Sequence, residues 1–262
     1  MPEPKPYPDR FDVVLVGTGF SASFFLHGLF SHSRRKLRVL VLEAGPKMKD
    51  AELVCARRLT HTECNEYFEN GTPKKPWVFS RAFGGGSNCW YGTTPRMLPE
   101  DFQLRSRYGV GEDWPVTYDE LEPHYSEVEQ IMDISGPTEP MPYRMSRAYP
   151  QPPHQFSEPD RLLKAAYPDK FFAMPTARAR VTNSRGACCN NGVCHLCPVD
   201  AKFTIENGLS VVFSNPSVEL VCDAEATRIT AGANTVSHVV FRRQGEEFKV
   251  AGDLVVLGAN GI

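Results

Sequence analysis

The sequence has no apolar run close to the ~20 residues that a membrane-spanning helix needs. Its opening, Met1-Pro2-Glu3-Pro4-Lys5-Pro6-Tyr7-Pro8, has no apolar segment of the kind that marks a secretory signal. Charge of one sign is also missing: 29 Lys and Arg stand against 31 Asp and Glu, a formal net charge of −2. That balance gives no electrostatic footprint for nucleic acid or for an anionic membrane. The short basic cluster Arg34, Arg35, Lys36, Arg38 reads as a solvated connection, and there is no internal repeat. Cytoplasmic placement is the default expectation, with export alongside a signal-bearing partner as the alternative.

Proline (22) and glycine (20) are plentiful, which implies long ordered loops rather than a helical bundle. The 262 residues, 41% of them hydrophobic, suit one large globular domain or two modest ones. The 8 cysteines are placed unevenly. Cys188, Cys189, Cys194 and Cys197 fall together, while Cys55, Cys64, Cys89 and Cys222 are scattered. A secreted disulfide framework spreads its cysteines, so this clustering points to a metal or redox site.

Phe11-Asp12-Val13-Val14-Leu15-Val16 reads as a strand buried on both faces of a parallel sheet. A helix is expected from Ser21 to Phe30 and a second strand over Leu37–Glu43, which makes a βαβ unit. Between strand and helix lies Gly17-Thr18-Gly19-Phe20-Ser21-Ala22, a G-x-G-x-x-A dinucleotide fingerprint. Gly17 permits the tight turn, Gly19 lets the backbone approach a pyrophosphate, and Ala22 allows close helix–strand packing. The helix N-terminus offers N–H groups and positive dipole to phosphates. Glu43, followed by Ala44-Gly45, can accept from a ribose hydroxyl pair, and its charge argues against a 2′-phosphate. Spacing alone does not separate NAD from FAD.

Farther on, Phe83-Gly84-Gly85-Gly86-Ser87-Asn88-Cys89-Trp90 is a glycine-rich segment. Thr117-Tyr118-Asp119-Glu120 is a capping-box start, after which Pro123 is expected to reset the helix. Strands over Val218–Cys222, Ala226–Thr230, Thr235–Arg243 and Phe248–Ala251 suggest an antiparallel meander, and Asp253–Ala259 returns to the buried-strand pattern.

With Glu112-Asp113-Trp114-Pro115 and Tyr118-Asp119-Glu120-Leu121-Glu122-Pro123-His124-Tyr125 added, the chain resembles the glucose–methanol–choline family of FAD-dependent oxidoreductases. Asn260 departs from that family's pattern, which has glycine there. The resemblance implies an α/β fold: a Rossmann-type FAD-binding domain with a β-meander, plus part of an α+β substrate domain. In residue numbers this gives a flexible arm over 1–10, the FAD-binding domain over 11–135 and 200–262, and an excursion over 136–199 that carries the cysteine cluster. It implies FAD as cofactor and oxidation of a CH–OH group of a sugar, polyol or other alcohol by hydride transfer to the flavin. Gly17, Gly19, Phe20, Ser21 and Ala22 would face the pyrophosphate, and Glu43 and Ala44 the adenosine ribose. Gly84, Gly85, Ser87, Asn88, Cys89 and Trp90 would line the isoalloxazine. Glu225 or Ala226 would sit near the adenine, and Gly258 with Ala259 would close over the cofactor. Cys89 stands where one branch of the family has a flavin-bonded histidine; noncovalent FAD is the expectation.

The C-C-x4-C spacing of Cys188, Cys189 and Cys194, with Cys197 as spare or fourth ligand, resembles bacterial FAD-dependent sugar dehydrogenase subunits that carry an iron–sulfur cluster. From the residues alone, iron–sulfur, zinc with three thiolates and His195, and unmetallated thiols all stay open. A cluster would let a dehydrogenase pass electrons singly to a cytochrome or an electron-accepting subunit. The family's alcohol-activating base is a histidine near the end of a chain roughly twice as long, and none of the seven histidines in this sequence matches it. The chain therefore reads as the N-terminal part of such a protein, expected to be inactive or severely impaired alone and with no catalytic residue of its own. A family oxidase that reduces oxygen, or a catalytically silent cofactor- or metal-binding module, are the alternatives.

Overall fold

The computed structural model describes residues 3–8, 10–48, 71–72, 74, 79–182, 184–232 and 235–259. Cys55, Cys64, His61 and the turn at Asn260-Gly261 lie outside the described residues. The chain forms two compact units, Met1–Trp90 with Thr204–Ile262, and Tyr91–Phe203. The sequence reading divides the chain instead at 135/136 and 199/200.

Among the described residues, the first unit holds two four-stranded sheets. Strands β2 (Phe11–Val16), β3 (Val39–Leu42), β4 (Val218–Val221) and β8 (Gly252–Leu257) form a parallel sheet in the order β4-β3-β2-β8. All four residues of β3 are buried, which is why the strand is an unbroken aliphatic run with no alternation. Helix α1 (Phe20–His32) makes the crossover from β2 to β3.

The second sheet contains β5 (Glu225–Ala231), β6 (Val236–Arg243) and β7 (Glu246–Val250), paired antiparallel, with the arm strand β1 (Lys5–Pro6) added parallel to β7. Phe11, Val14, Leu40 and Leu42 of the parallel sheet share one core with Val239, Phe241 and Val250 of the meander. Each such side chain contributes roughly 1.5–3 kcal/mol when fully buried.

Three expectations change here. Val218–Val221 joins the parallel sheet beside β3 instead of opening the meander, because its backbone continues the parallel ladder from Val39↔Val218 to Leu42↔Val221. The arm is docked, not free: Tyr7 packs against Phe241 and Phe248 with ring centroids 5.4 and 6.2 Å away, and its hydroxyl bonds the Glu219 carboxylate. Finally, Pro123 lies inside one continuous helix, α2 (Tyr118–Ile131), which starts at the expected Thr117/Glu120 capping box.

The helix survives Pro123 because one buried side chain in the second unit grips it on both sides of that residue. Arg96 donates to Tyr118 Oη (2.9 Å), Glu122 Oε1 (3.1 Å), Ser126 Oγ (3.1 Å) and both oxygens of Glu129 (2.7 Å each). Those four residues occupy one helical face at spacings of four, four and three. The same cluster explains why 91–135 belongs with the second unit: it ties Arg96 and α2 to Arg144 and Ser146. Burial alone would raise the carboxyl of Glu122, but the Ser146 amide, the Ser126 hydroxyl and Arg96 together hold it down at about 2.

Replacing Arg96 by Met strands two buried carboxylates, and urea unfolding is expected to show a loss of about 3–5 kcal/mol. Because Glu122 titrates lower in the folded state than its ordinary value of 4.5, its contribution is complete above that value. It is then lost as pH falls towards 2. A loss below about 1 kcal/mol for Arg96→Met would contradict this account of the cluster.

Candidate functional site

The end of β2, the start of α1 and the end of β8 meet within van der Waals distance. Gly17 turns with φ +96°, and a Cβ there would lie 3.0 Å from the Gly258 carbonyl oxygen. A Cβ on Gly258 would lie 2.7 Å from the Ala22 Cβ, so neither position has room for a larger residue. The amide of Gly258 bonds Val16 O (2.9 Å) and that of Gly17 bonds Leu42 O (2.8 Å). Gly19 differs: nothing lies within 4 Å of its missing Cβ. Its smallness is not required by packing, and it faces open space at the N-terminus of α1. That helix has no side-chain cap and no acidic residue in its first turn. The positive end of its dipole is therefore available to an anion.

A cleft of about 520 Å³ opens above this junction, lined by Gly17–Ser21, Glu43, Ala44, Arg81, Gly85, Gly86, Glu225, Ala226, Gly258 and Ala259 among others. Its size lies within the range of small-molecule and cofactor sites.

Glu43 is 6% exposed at the cleft wall. Its Oε2 accepts from Thr18 Oγ1 (2.5 Å) and its Oε1 from the Gly45 amide (2.9 Å). Burial raises its pKa, while those two donors, the Thr18 amide and the nearby Arg81 oppose the rise. Arg81 also pairs with Glu225 (3.1 Å). Burial, together with the Glu43 and Asp223 charges, pushes the Cys222 thiol up to about 11, so Cys222 is a thiol and not a nucleophile at neutral pH.

Of the residues expected to contact the cofactor, Gly17, Gly19, Phe20, Ser21, Glu43, Ala44, Gly85, Glu225, Ala226, Gly258 and Ala259 line the cleft. Ala22 lies beneath it, against Gly258. Much of the glycine-rich segment turns inward. Gly84 (φ +90°) and Gly85 (φ +53°) start a 3₁₀ turn over Gly85–Asn88. Ser87 Oγ donates to Gly84 O (2.7 Å) and accepts from the Ile205 amide (3.0 Å). Asn88 Nδ2 donates to Ser80 Oγ and Phe83 O. Cys89 is buried with Sγ directed at Gly86 O (3.6 Å). Trp90 packs edge-on against Phe20 at 4.7 Å.

Other cleft residues were not expected from the sequence, among them Thr18, the variable position of the fingerprint, Gly86 and Arg81. Only the triple glycine hinted at the second of these.

In the second unit, Cys188, Cys189, Cys194 and Cys197 line a small cavity of about 30 Å³ with Arg178 and Lys202. Arg178 Nη1 lies 3.2 Å from Cys194 Sγ, and the Ala201 amide donates to Cys197 Sγ (3.2 Å). Among the described residues no three His, Cys, Asp or Glu side chains come together as ligands to one metal ion. The four thiols share one cavity and have the donor chemistry of an iron–sulfur cluster, although they do not converge on a single ion. His154 Nε2 is bonded to Arg178 O (3.1 Å), and burial lowers its pKa, which makes it a neutral, structural imidazole.

No protein-family model matches the sequence. The chain is 27% identical to the fructose dehydrogenase large subunit of Gluconobacter japonicus, over 96% of its own length and 52% of that protein. Its fold is similar to pyridoxine 4-oxidase from Mesorbium loti (TM-score 0.62, 16% identity, 96% of this chain and 50% of that one). It is also similar to an FAD-dependent oxidoreductase from Chaetomium thermophilum (TM-score 0.60, 15% identity, 96% and 46%). The chain thus spans about half the length of the relatives it matches. No helix among the described residues is long and apolar enough to cross a membrane.

Gly258→Ala is expected to destabilise the protein by about 1–3 kcal/mol, since its methyl group would overlap Ala22. Gly19→Ala, with open space around it, should cost no more than about 1 kcal/mol. Chemical denaturation of the two variants tests the contrast, and equal costs would contradict the packing argument.

Proposed function

From the premise that the chain is a relative of the glucose–methanol–choline FAD oxidoreductases, we propose that its cleft binds FAD within an enzyme that oxidises a CH–OH group. One observation carries this reading: the fingerprint turn, Glu43, the start of β5 and the residues just past β8 all line a single cleft, beside an uncapped helix N-terminus. When bound, FAD would supply the hydride acceptor.

The chain's own residues bind and orient. The backbone of Gly17–Ser21 and the α1 dipole hold the pyrophosphate, and the openness at Gly19 admits it. Glu43 accepts from the ribose hydroxyls through lone pairs not taken by Thr18 and Gly45. Glu225 and Ala226 flank the adenine, and Gly258 with Ala259 closes the cleft. Ser87, Asn88 and Cys89 act one layer back, holding the Gly84–Gly86 backbone against the flavin without touching it. The proton of the alcohol must go to a base. We place that base outside these 262 residues, in keeping with relatives about twice as long.

The acceptor of the electrons is read from the second unit. Four thiols gathered round one cavity favour a dehydrogenase over an oxidase, because sulfur ligands are what an iron–sulfur cluster needs. An iron–sulfur cluster would supply one-electron transfer there to a partner subunit or cytochrome. The substrate class proposed is a sugar, polyol or other small alcohol.

Purified under mild conditions, the protein should carry flavin absorption or take up added FAD, and Glu43→Ala should weaken uptake at least tenfold. A colourless protein with no affinity for FAD would overturn the reading. Anaerobic preparations should contain iron and acid-labile sulfide that fall with Cys188→Ser and Cys194→Ser. Flavin without iron would favour the oxidase.

A further inference from the structure

Thr18 is the fingerprint's variable residue, yet it is fully buried and its hydroxyl joins separate segments of the chain. Oγ1 donates to Glu43 Oε2 (2.5 Å) at the end of β3 and accepts from the Gly84 amide (2.9 Å) in the glycine-rich segment. Its carbonyl accepts from Ser23 Oγ (3.0 Å) on α1. The bond directions are forced: an amide can only donate, so the hydroxyl proton is left for the carboxylate.

We infer that Thr18 is a positioning residue that orients the Glu43 carboxylate for the cofactor ribose and ties it to the Gly84–Asn88 segment. This rests on the dinucleotide reading of the cleft and adds to it a residue that the fingerprint leaves free. With Gly45 N–H on Oε1 and Thr18 O–H on Oε2, the carboxylate plane is fixed, and the remaining lone pairs are those a ribose diol would meet.

The same two donors, with the Thr18 amide, favour the ionised form against burial. The other charged or titratable groups acting with Glu43 are Arg81, which helps hold it ionised, and Cys222, whose thiol is pushed up by it. Glu225 lines the same cleft and is paired with Arg81. Without the Thr18 hydroxyl, the largest hydrogen-bond contribution to Glu43, the balance moves towards the neutral acid. A protonated Glu43 keeps one oxygen as a donor and loses acceptor strength, so ribose binding weakens as pH falls.

The test compares wild type, Thr18→Val, which keeps the shape and removes the hydroxyl, and Thr18→Ser, which restores it. FAD affinity is read from flavin fluorescence between pH 6 and 8.5. Thr18→Val is expected to bind about 10- to 100-fold more weakly, the range for losing a hydrogen bond to a charged group, with the deficit growing as pH falls. Thr18→Ser should return to within about threefold of wild type and follow the wild-type pH profile.

A Thr18→Val protein with wild-type affinity and pH profile would overturn the assignment. So would a Thr18→Ser protein as impaired as Thr18→Val, since packing and not the hydroxyl would then matter. A second readout needs no flavin: a double-mutant cycle of Thr18→Val and Glu43→Gln on the unfolding midpoint of the apoprotein. Non-additivity supports the contact, and strict additivity overturns it. Wild type failing to bind FAD while the cycle shows coupling would bring down the cofactor reading but leave the Thr18–Glu43 contact intact.

Discussion

The fit of Gly258 against Ala22, and of Gly17 against Gly258, is the constraint on which the first unit depends. At that point two parallel strands end and a helix begins with no room for a Cβ on either strand end. Bringing α1 this close to the sheet sets where its N-terminus points, and that end carries the helix's partial positive charge. The cleft exists because the three backbones converge below it and then diverge. Larger residues at these positions would separate helix from sheet and move the positive end of the α1 dipole away from Glu43.

Polar groups are handled differently in the two units. In the second unit Arg96 is almost wholly enclosed by its partners, Glu122, Glu129, Tyr118 and Ser126. Such a cluster orients a helix and holds it through a proline, and it offers nothing to a ligand. Glu43 in the first unit is bound by two donors and borders open space. A buried carboxylate with fixed orientation and spare acceptor capacity is what a diol requires. The distinction is whether the protein itself satisfies the charge completely.

The parts of the fold legible in the sequence were those set by local composition. Val13–Val16 and Val39–Leu42 are aliphatic on both faces, so a doubly covered parallel sheet was implied, and Gly17, Gly19 and Ala22 carry their reasons in their size. The Thr117/Glu120 capping box marked the start of α2. What was illegible depends on partners distant in sequence. Val218–Val221 has the apolar character of either sheet, and only the ladder to β3 assigns it. Pro123 reads as a break unless Arg96, far earlier in the chain, is known to grip the helix on both sides. Tyr7 belongs to a proline-rich arm that looks unstructured until Phe241 and Phe248 are beside it. In the site, the pattern Ser87–Trp90 showed proximity to the cleft but not that Ser87, Asn88 and Cys89 turn inward, because that follows from Ser80, Phe83 and Ile205. The cysteine loop was conspicuous in sequence, while the present placement of its thiols does not form a single-ion site.

Discrimination among nucleotide fragments addresses the central claim, that the fingerprint turn and Glu43 grip the adenosine diphosphate portion of a dinucleotide. Titration calorimetry of the deflavinated protein with FAD, FMN and ADP separates the two ends of the cofactor. The account predicts tight FAD binding, competition by ADP at the same stoichiometry, and FMN binding weaker by at least two orders of magnitude. FMN binding as tightly as FAD, with ADP unable to compete, would contradict it.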